Sequence, residues 1–343
     1  MLFNPTRLKI ARKRRKLTCA MLAKSLHITA HTVGRWESRP IRNLSLEKIR
    51  LLSQALEFPE AFFFGKDVLM PEMRRITFRY QTCTNVFMRD AAFAFASIGF
   101  ITLDWITKYF SFPASNVPKL NEILHPEYAA NALRKLWSLG TKPIGNIVDL
   151  LESHGVHVFY LPENTPSLSA YSFWHKDRPY IFLNRYKKTA ERCRFDAAYE
   201  LGRLVLYAHG VEDSNEAKEH ATLFAAAFLM PESDVLIHCK AYMTVDQIIA
   251  QKARWCVSAA ALAYRLRKLD LLTEWNYRER CTTLLYRFQK NEPNPMNAEK
   301  SHLWMTMLKT IKREKKDNCS IASLIGIPEK ELTDLLFIDS EEI

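Results

Sequence analysis

Residues 195–209 read Phe195-Asp196-Ala197-Ala198-Tyr199-Glu200-Leu201-Gly202-Arg203-Leu204-Val205-Leu206-Tyr207-Ala208-His209. A helix of His-Glu-x-x-His type sets two imidazoles one turn apart to grip zinc, with the Glu between them acting as general base. Here Glu200 stands in that frame, with Tyr199 and Arg203 at the two imidazole positions. The base is present and both metal ligands are gone.

Downstream, the chain continues through Ala221-Thr222-Leu223-Phe224-Ala225-Ala226-Ala227-Phe228-Leu229-Met230-Pro231. The two stretches together resemble the ImmA/IrrE family of zinc metallopeptidase domains, in which a His-Glu-Leu-Gly-His helix precedes a second helix that supplies an acidic third ligand and ends in Leu-Met-Pro. The resemblance implies a zincin-like domain with helices at about 189–209 and 215–229. It puts Thr222 where Asn is usual and Lys218 where the acid should be. A degenerate site of Tyr199, Glu200, Arg203, Glu216, Lys218, Glu219 and His220 is therefore expected, with no catalytic residue, no metal and no cofactor. Arg203 is expected to enter the former metal site and pair with Glu200 or Glu219, substituting for the missing charge. The alternative is an exposed Arg203 in a weak pair with Glu200 one turn away. His175, His209 and His220 are the only imidazoles near this segment. An improvised metal site of His220, Glu216 and Glu219 is the lesser alternative, because both acids lie out of phase with the acidic position that Lys218 fills.

At the N-terminus, Arg7-Leu8-Lys9-Ile10-Ala11-Arg12, Leu17-Thr18, Leu22-Ala23, Ile28-Thr29 and Val33 to Glu37 resemble the helix-turn-helix of the XRE (phage-repressor-like) family. Thr18 and Thr29 suit the N-caps of its two helices. His27 occupies the turn where Gly is usual, and Cys19 stands where Gln often helps clamp a phosphate. The resemblance implies duplex DNA as partner and a homodimer reading two half-sites. Ala30, His31, Thr32 and Arg35 fall on the first turns of the recognition helix. Arg12, Lys13 and Arg14 are expected to meet phosphates.

Charge distribution points the same way without any family. Residues 1–80 hold seventeen Lys and Arg against six Asp and Glu, which places +11 of the net +12 on the first quarter of the chain. Such concentration is an electrostatic footprint for phosphates rather than for general solubility. The seven cysteines are odd in number and scattered, without a Cys-x-x-Cys pair. That argues against a disulfide scaffold or zinc ribbon and fits a reducing cytoplasm. No signal-peptide pattern opens the chain, and the apolar run Ala91–Leu103 reads as a buried helix rather than a membrane span.

The expected fold is mainly α with a small α+β domain. A five-helix XRE-type domain fills 1–68, and the aromatic cluster Phe58 to Phe64 closes its core. A basic linker and helical connector take 69–140. The ImmA/IrrE-like domain takes 141–290, with a short sheet from strands near 156–160, 171–174 and 180–184. Helices fill 291–343, where Ile321 to Leu332 looks like another helix-turn-helix. Packing is the preferred reading there, since Glu329, Glu331 and Asp334 would meet phosphates unfavourably. Thr244 is a further expected N-cap.

These readings predict a DNA-binding transcriptional regulator whose peptidase-like domain is a sensor, taking a protein partner or small-molecule effector at the degenerate pocket. The alternatives are an active zinc metallopeptidase that cleaves a repressor and a component of a phage-defence or toxin–antitoxin module.

Overall fold

A computed structural model describes residues 2–39, 44–68, 77–80, 86–120, 125–162, 168–186, 189–208, 214–289, 291–314 and 320–338. His209, Arg42, Cys83, Cys319 and the linker stretch 69–76 lie outside them.

The N-terminal domain begins with α1 (Pro5–Arg14), where Pro5 sits at the first turn and Asn4 accepts from the Thr6 amide at 2.9 Å. Then come α2 (Cys19–Ser25), α3 (Ala30–Ser38), α4 (Leu46–Leu56) and a 3-10 turn, Glu60–Phe64. Thr18 caps α2 through the Met21 amide at 3.0 Å, and Thr29 caps α3 through the Thr32 amide at 3.2 Å. Each cap satisfies a backbone donor that the first helical turn leaves open. His27, between the two helices, has φ 53°, the left-handed conformation its place in the turn requires. Phe58, Phe62 and Phe63 are fully buried with Leu8, Leu22 and Val33, so the aromatic cluster is core.

The next element is β1 (Thr77–Tyr80), followed by α5 (Val86–Ile106). Among the described residues α5 is the one helix long and apolar enough to cross a bilayer, and 67% of its most apolar stretch is buried against the protein. Beyond it lie α6 (Pro126–Leu136), α7 (Ile147–Ser153), β2 (His157–Tyr160), β3 (Leu168–His175) and β4 (Arg178–Leu183). The helices α8 (Ala190–Leu206), α9 (Asn215–Leu229), α10 (Glu232–His238), α11 (Val245–Gln251), α12 (Ala259–Lys268) and α13 (Glu274–Phe288) follow. Thr244 caps α11 in a full capping box with Gln247. The tail holds α14 (His302–Glu314), α15 (Ile321–Ile325) and α16 (Glu329–Leu336).

The sheet has strand order β1-β3-β4-β2, with β1 and β4 antiparallel to β3 and β2 parallel to β4. Strands β2, β3 and β4 are buried almost throughout, because helices cover both faces. Phe159, Tyr171, Phe173 and Phe182 point into a core shared with the N-terminal domain, α5 and the tail helices. Val158, Ala170, Ile181 and Leu183 point the opposite way, into a core with α6 to α9. This period-two division makes the sheet the wall between the two cores. Tyr171 and Phe182 stack at 4.6 Å, and the Tyr171 hydroxyl donates to the Ala92 carbonyl of α5 at 3.0 Å. Strands β3 and β4 are joined by Lys176 and Asp177, both at positive φ, as a two-residue hairpin turn demands.

Candidate nucleic-acid interface and peptidase-like centre

Helix α3 buries Val33 and Trp36 and turns Thr29, Ala30, His31 and Arg35 to solvent, with Thr32 half-buried. The Thr32 hydroxyl lies 2.9 Å from that of Thr29, which orders the first turn. Arg35 makes no ion pair among the described residues. A Cβ built on Gly34 would meet nothing within 4 Å, so its missing side chain leaves open space on the helix. Lys24 of α2, Arg39 after α3 and Lys48 of α4 are also exposed. Lys48 lies over the Trp36 ring at 6.0 Å.

The basic run Arg12 to Arg15 is turned inward instead, which revises the expected phosphate role. Arg12 forms a two-pronged pair with Glu37, at 2.6 and 2.7 Å, and donates to the Leu17 carbonyl at 2.6 Å. That fork ties α1 to α3 and raises the guanidinium's pKa, chiefly through the Glu37 hydrogen bond. Lys13 pairs with Asp90 of α5 at 2.9 Å. Arg14 and Arg15 both bind Glu331 of α16, at 2.7 and 2.6 Å. Glu331 and Asp334 are buried, so this face of α16 packs against the molecule.

In the peptidase-like centre, Gly202 decides how the two main helices meet. A Cβ there would stand 2.7 Å from the Phe224 ring, so α8 and α9 touch only because this position has no side chain. Glu200 is fully buried and accepts from the Ser172 hydroxyl of β3 at 2.6 Å. Tyr199 is buried. Arg203 is 6% exposed, so the buried reading holds, but the expected pairing does not. Among the described residues no ion pair joins Arg203 to Glu200 or Glu219. Its Nη1 has no hydrogen-bond partner, and the guanidinium lies 5.8 Å from the Tyr207 ring. Glu219 pairs with Lys268 at 3.1 Å. His220 meets the Tyr207 hydroxyl through Nδ1 at 2.7 Å and lies 3.9 Å from Glu216. The Lys218 carbonyl accepts from the Thr222 hydroxyl at 2.7 Å.

Tyr199, Arg203 and Lys218 carry a phenol, a guanidinium and an ammonium, whereas zinc takes thiolate, imidazole or carboxylate. Among the described residues no three His, Cys, Asp or Glu side chains converge in a way that would hold a metal ion.

Residues 8–63 match the family model of the helix-turn-helix, and residues 151–267 match that of the IrrE N-terminal-like domain, a peptidase family. The chain joins a helix-turn-helix domain to an IrrE-like domain. No curated protein matches the chain.

Within the IrrE-like domain Gly202 packs against Phe224, Glu200 accepts from Ser172, and Leu229 and Met230 at the end of α9 are buried. Reading the sequence missed two features around it. Arg134 of α6 binds the carbonyls of Gly140, Lys142 and Phe228, which fixes the end of α9. Arg194 of α8 binds the Ile144 and Gly145 carbonyls and Glu299. No local pattern marks either one, since every partner is a backbone oxygen or a distant acid.

Proposed function

We propose that this protein is a sequence-specific DNA-binding transcriptional regulator in which the IrrE-like domain acts without metal, as a sensing or docking domain. Helix α3 is the recognition helix, with Ala30, His31, Thr32 and Arg35 facing base edges. Arg35 is the residue suited to a bidentate contact with guanine. The phosphate contacts pass from Arg12, Lys13 and Arg14 to the exposed Lys24, Arg39 and Lys48. Two copies bind a pseudo-palindromic site.

The observation that carries this reading is the helix-turn-helix match over a domain whose α3 exposes Arg35 on its outer face, without an ion pair among the described residues. Binding-site selection on random duplex DNA tests it. Enrichment of one motif with two-fold symmetry is expected. A pool that stays random at moderate salt overturns the proposal.

A further inference from the structure

We infer that the cleft between the helix-turn-helix domain, α5 and the β3–β4 hairpin is a binding site for a small planar aromatic anion. This cleft of about 580 Å³ lies apart from the degenerate peptidase centre, whose Glu200 and Arg203 do not line it. Its size falls within the roughly 300–1,000 Å³ typical of small-molecule sites.

One wall is a continuous run of rings. Phe112 meets His157 edge-on at 5.0 Å, His157 lies 5.0 Å from Tyr180, and Tyr180 meets Phe100 edge-on at 5.1 Å. Phe100 then stacks on His175 at 4.8 Å. Rings in that arrangement offer faces and edges to a further planar ring. Burial, reinforced by Arg178, lowers the His157 pKa to about 4, so this ring is neutral at physiological pH.

The lining groups that carry charge are four cations, Arg7, Lys66, Lys176 and Arg178, against two carboxylates, Asp67 and Asp104. Both acids act on Arg7, which is also packed on Phe62 and bound to the Lys66 carbonyl at 2.9 Å. Gly65 leaves the room for it, since a Cβ there would stand 2.8 Å from the guanidinium. The hairpin end differs. Its one acid, Asp177, is taken up by Lys119 at 2.7 Å and is absent from the lining. Lys176 and Arg178 make no ion pair among the described residues, and Arg178 spends one donor on the Pro113 carbonyl at 3.0 Å. The ligand's ring therefore lies along the Tyr180 and Phe100 wall, and its anionic group meets Lys176 and Arg178.

The walls come from three parts of the chain, so a bound anion would bridge the DNA-binding domain and the sheet. That consequence rests on the regulator reading; the site does not. Salicylate and adenosine monophosphate are the probes, titrated into the full chain by calorimetry, with cyclohexanecarboxylate as the control without an aromatic ring and adenosine as the control without an anion. At least one probe should bind with sub-millimolar affinity, and its control about tenfold more weakly. Lys176→Gln combined with Arg178→Gln should weaken the binding probe by about tenfold or more while the circular dichroism spectrum stays unchanged. Failure of both probes, or a double variant that binds as well as the parent, overturns the site. Loss of DNA selection with probe binding intact would strike the regulator reading and leave the site standing.

Discussion

Arg14 and Glu331, 317 positions apart in the chain, form a buried ion pair at 2.7 Å with side chains 3% and 2% exposed. The Arg14 guanidinium also lies 4.9 Å from the Phe95 ring of α5, and Arg15 takes the second oxygen of Glu331. One carboxylate on the last helix thus holds the first helix of the DNA-binding domain against the rest of the molecule. Removing it leaves a buried guanidinium without its counter-charge, so Glu331→Ala should cost about 3–5 kcal/mol. Urea denaturation measures the loss, and an unchanged midpoint would contradict the clamp.

The two classes of basic residue in the DNA-binding domain should separate by assay. Arg12→Ala breaks the fork with Glu37 and should lower thermal stability before it changes DNA contacts. Lys24→Ala or Arg39→Ala should leave the fold intact, weaken all duplexes alike and reduce the salt slope by about one. Arg35→Ala should relax preference at one base position, at about 1–3 kcal/mol of discrimination. Anisotropy titrations across a salt series separate the three patterns.

The donor set at Tyr199, Arg203 and Lys218 leads to an expectation about metal. Purified protein should carry no stoichiometric zinc by elemental analysis, and chelator should change neither its melting temperature nor any proteolysis. A full complement of zinc would sink the metal-free reading.

Arg203 should be dispensable for stability, because among the described residues no ion pair offsets its burial. Arg203→Met keeps most of the packing volume and removes a buried donor that lacks a hydrogen bond. The variant should be equal to the parent or more stable by about 1 kcal/mol. A loss of stability in chemical denaturation would mean that the guanidinium has a partner.

Glu152 gives the molecule a pH dependence between about pH 4.5 and 8. Burial, with a small addition from Asp149, raises its pKa to about 8 despite the hydrogen bond from Ser301, so the folded protein keeps a proton that the unfolded chain has released. Its contribution to stability is complete below about pH 4.5, the ordinary value, and is lost as pH rises through 8. Glu152→Gln should flatten the fall in melting temperature between about pH 4.5 and 8. Identical slopes in both proteins would exclude this role.

Much of the fold was legible because its signals are local. The caps at Thr18, Thr29 and Thr244 need only an amide three residues on, His27 fits a turn of a few residues, and the apolar run in α5 marks a buried helix by composition alone. The frame around Glu200 announced the IrrE-like domain. Strand β1 lies in the stretch expected as linker, and its place in the sheet comes from pairing with β3, some ninety residues downstream. The sign and density of charge in residues 1–80 could be counted, but not where each side chain points. Only tertiary packing turned Arg12, Arg14 and Arg15 inward to Glu37 and Glu331 and left Arg35 facing solvent. A cation's sign is a property of the residue, whereas its partner depends on which distant carboxylate the fold brings within hydrogen-bonding distance.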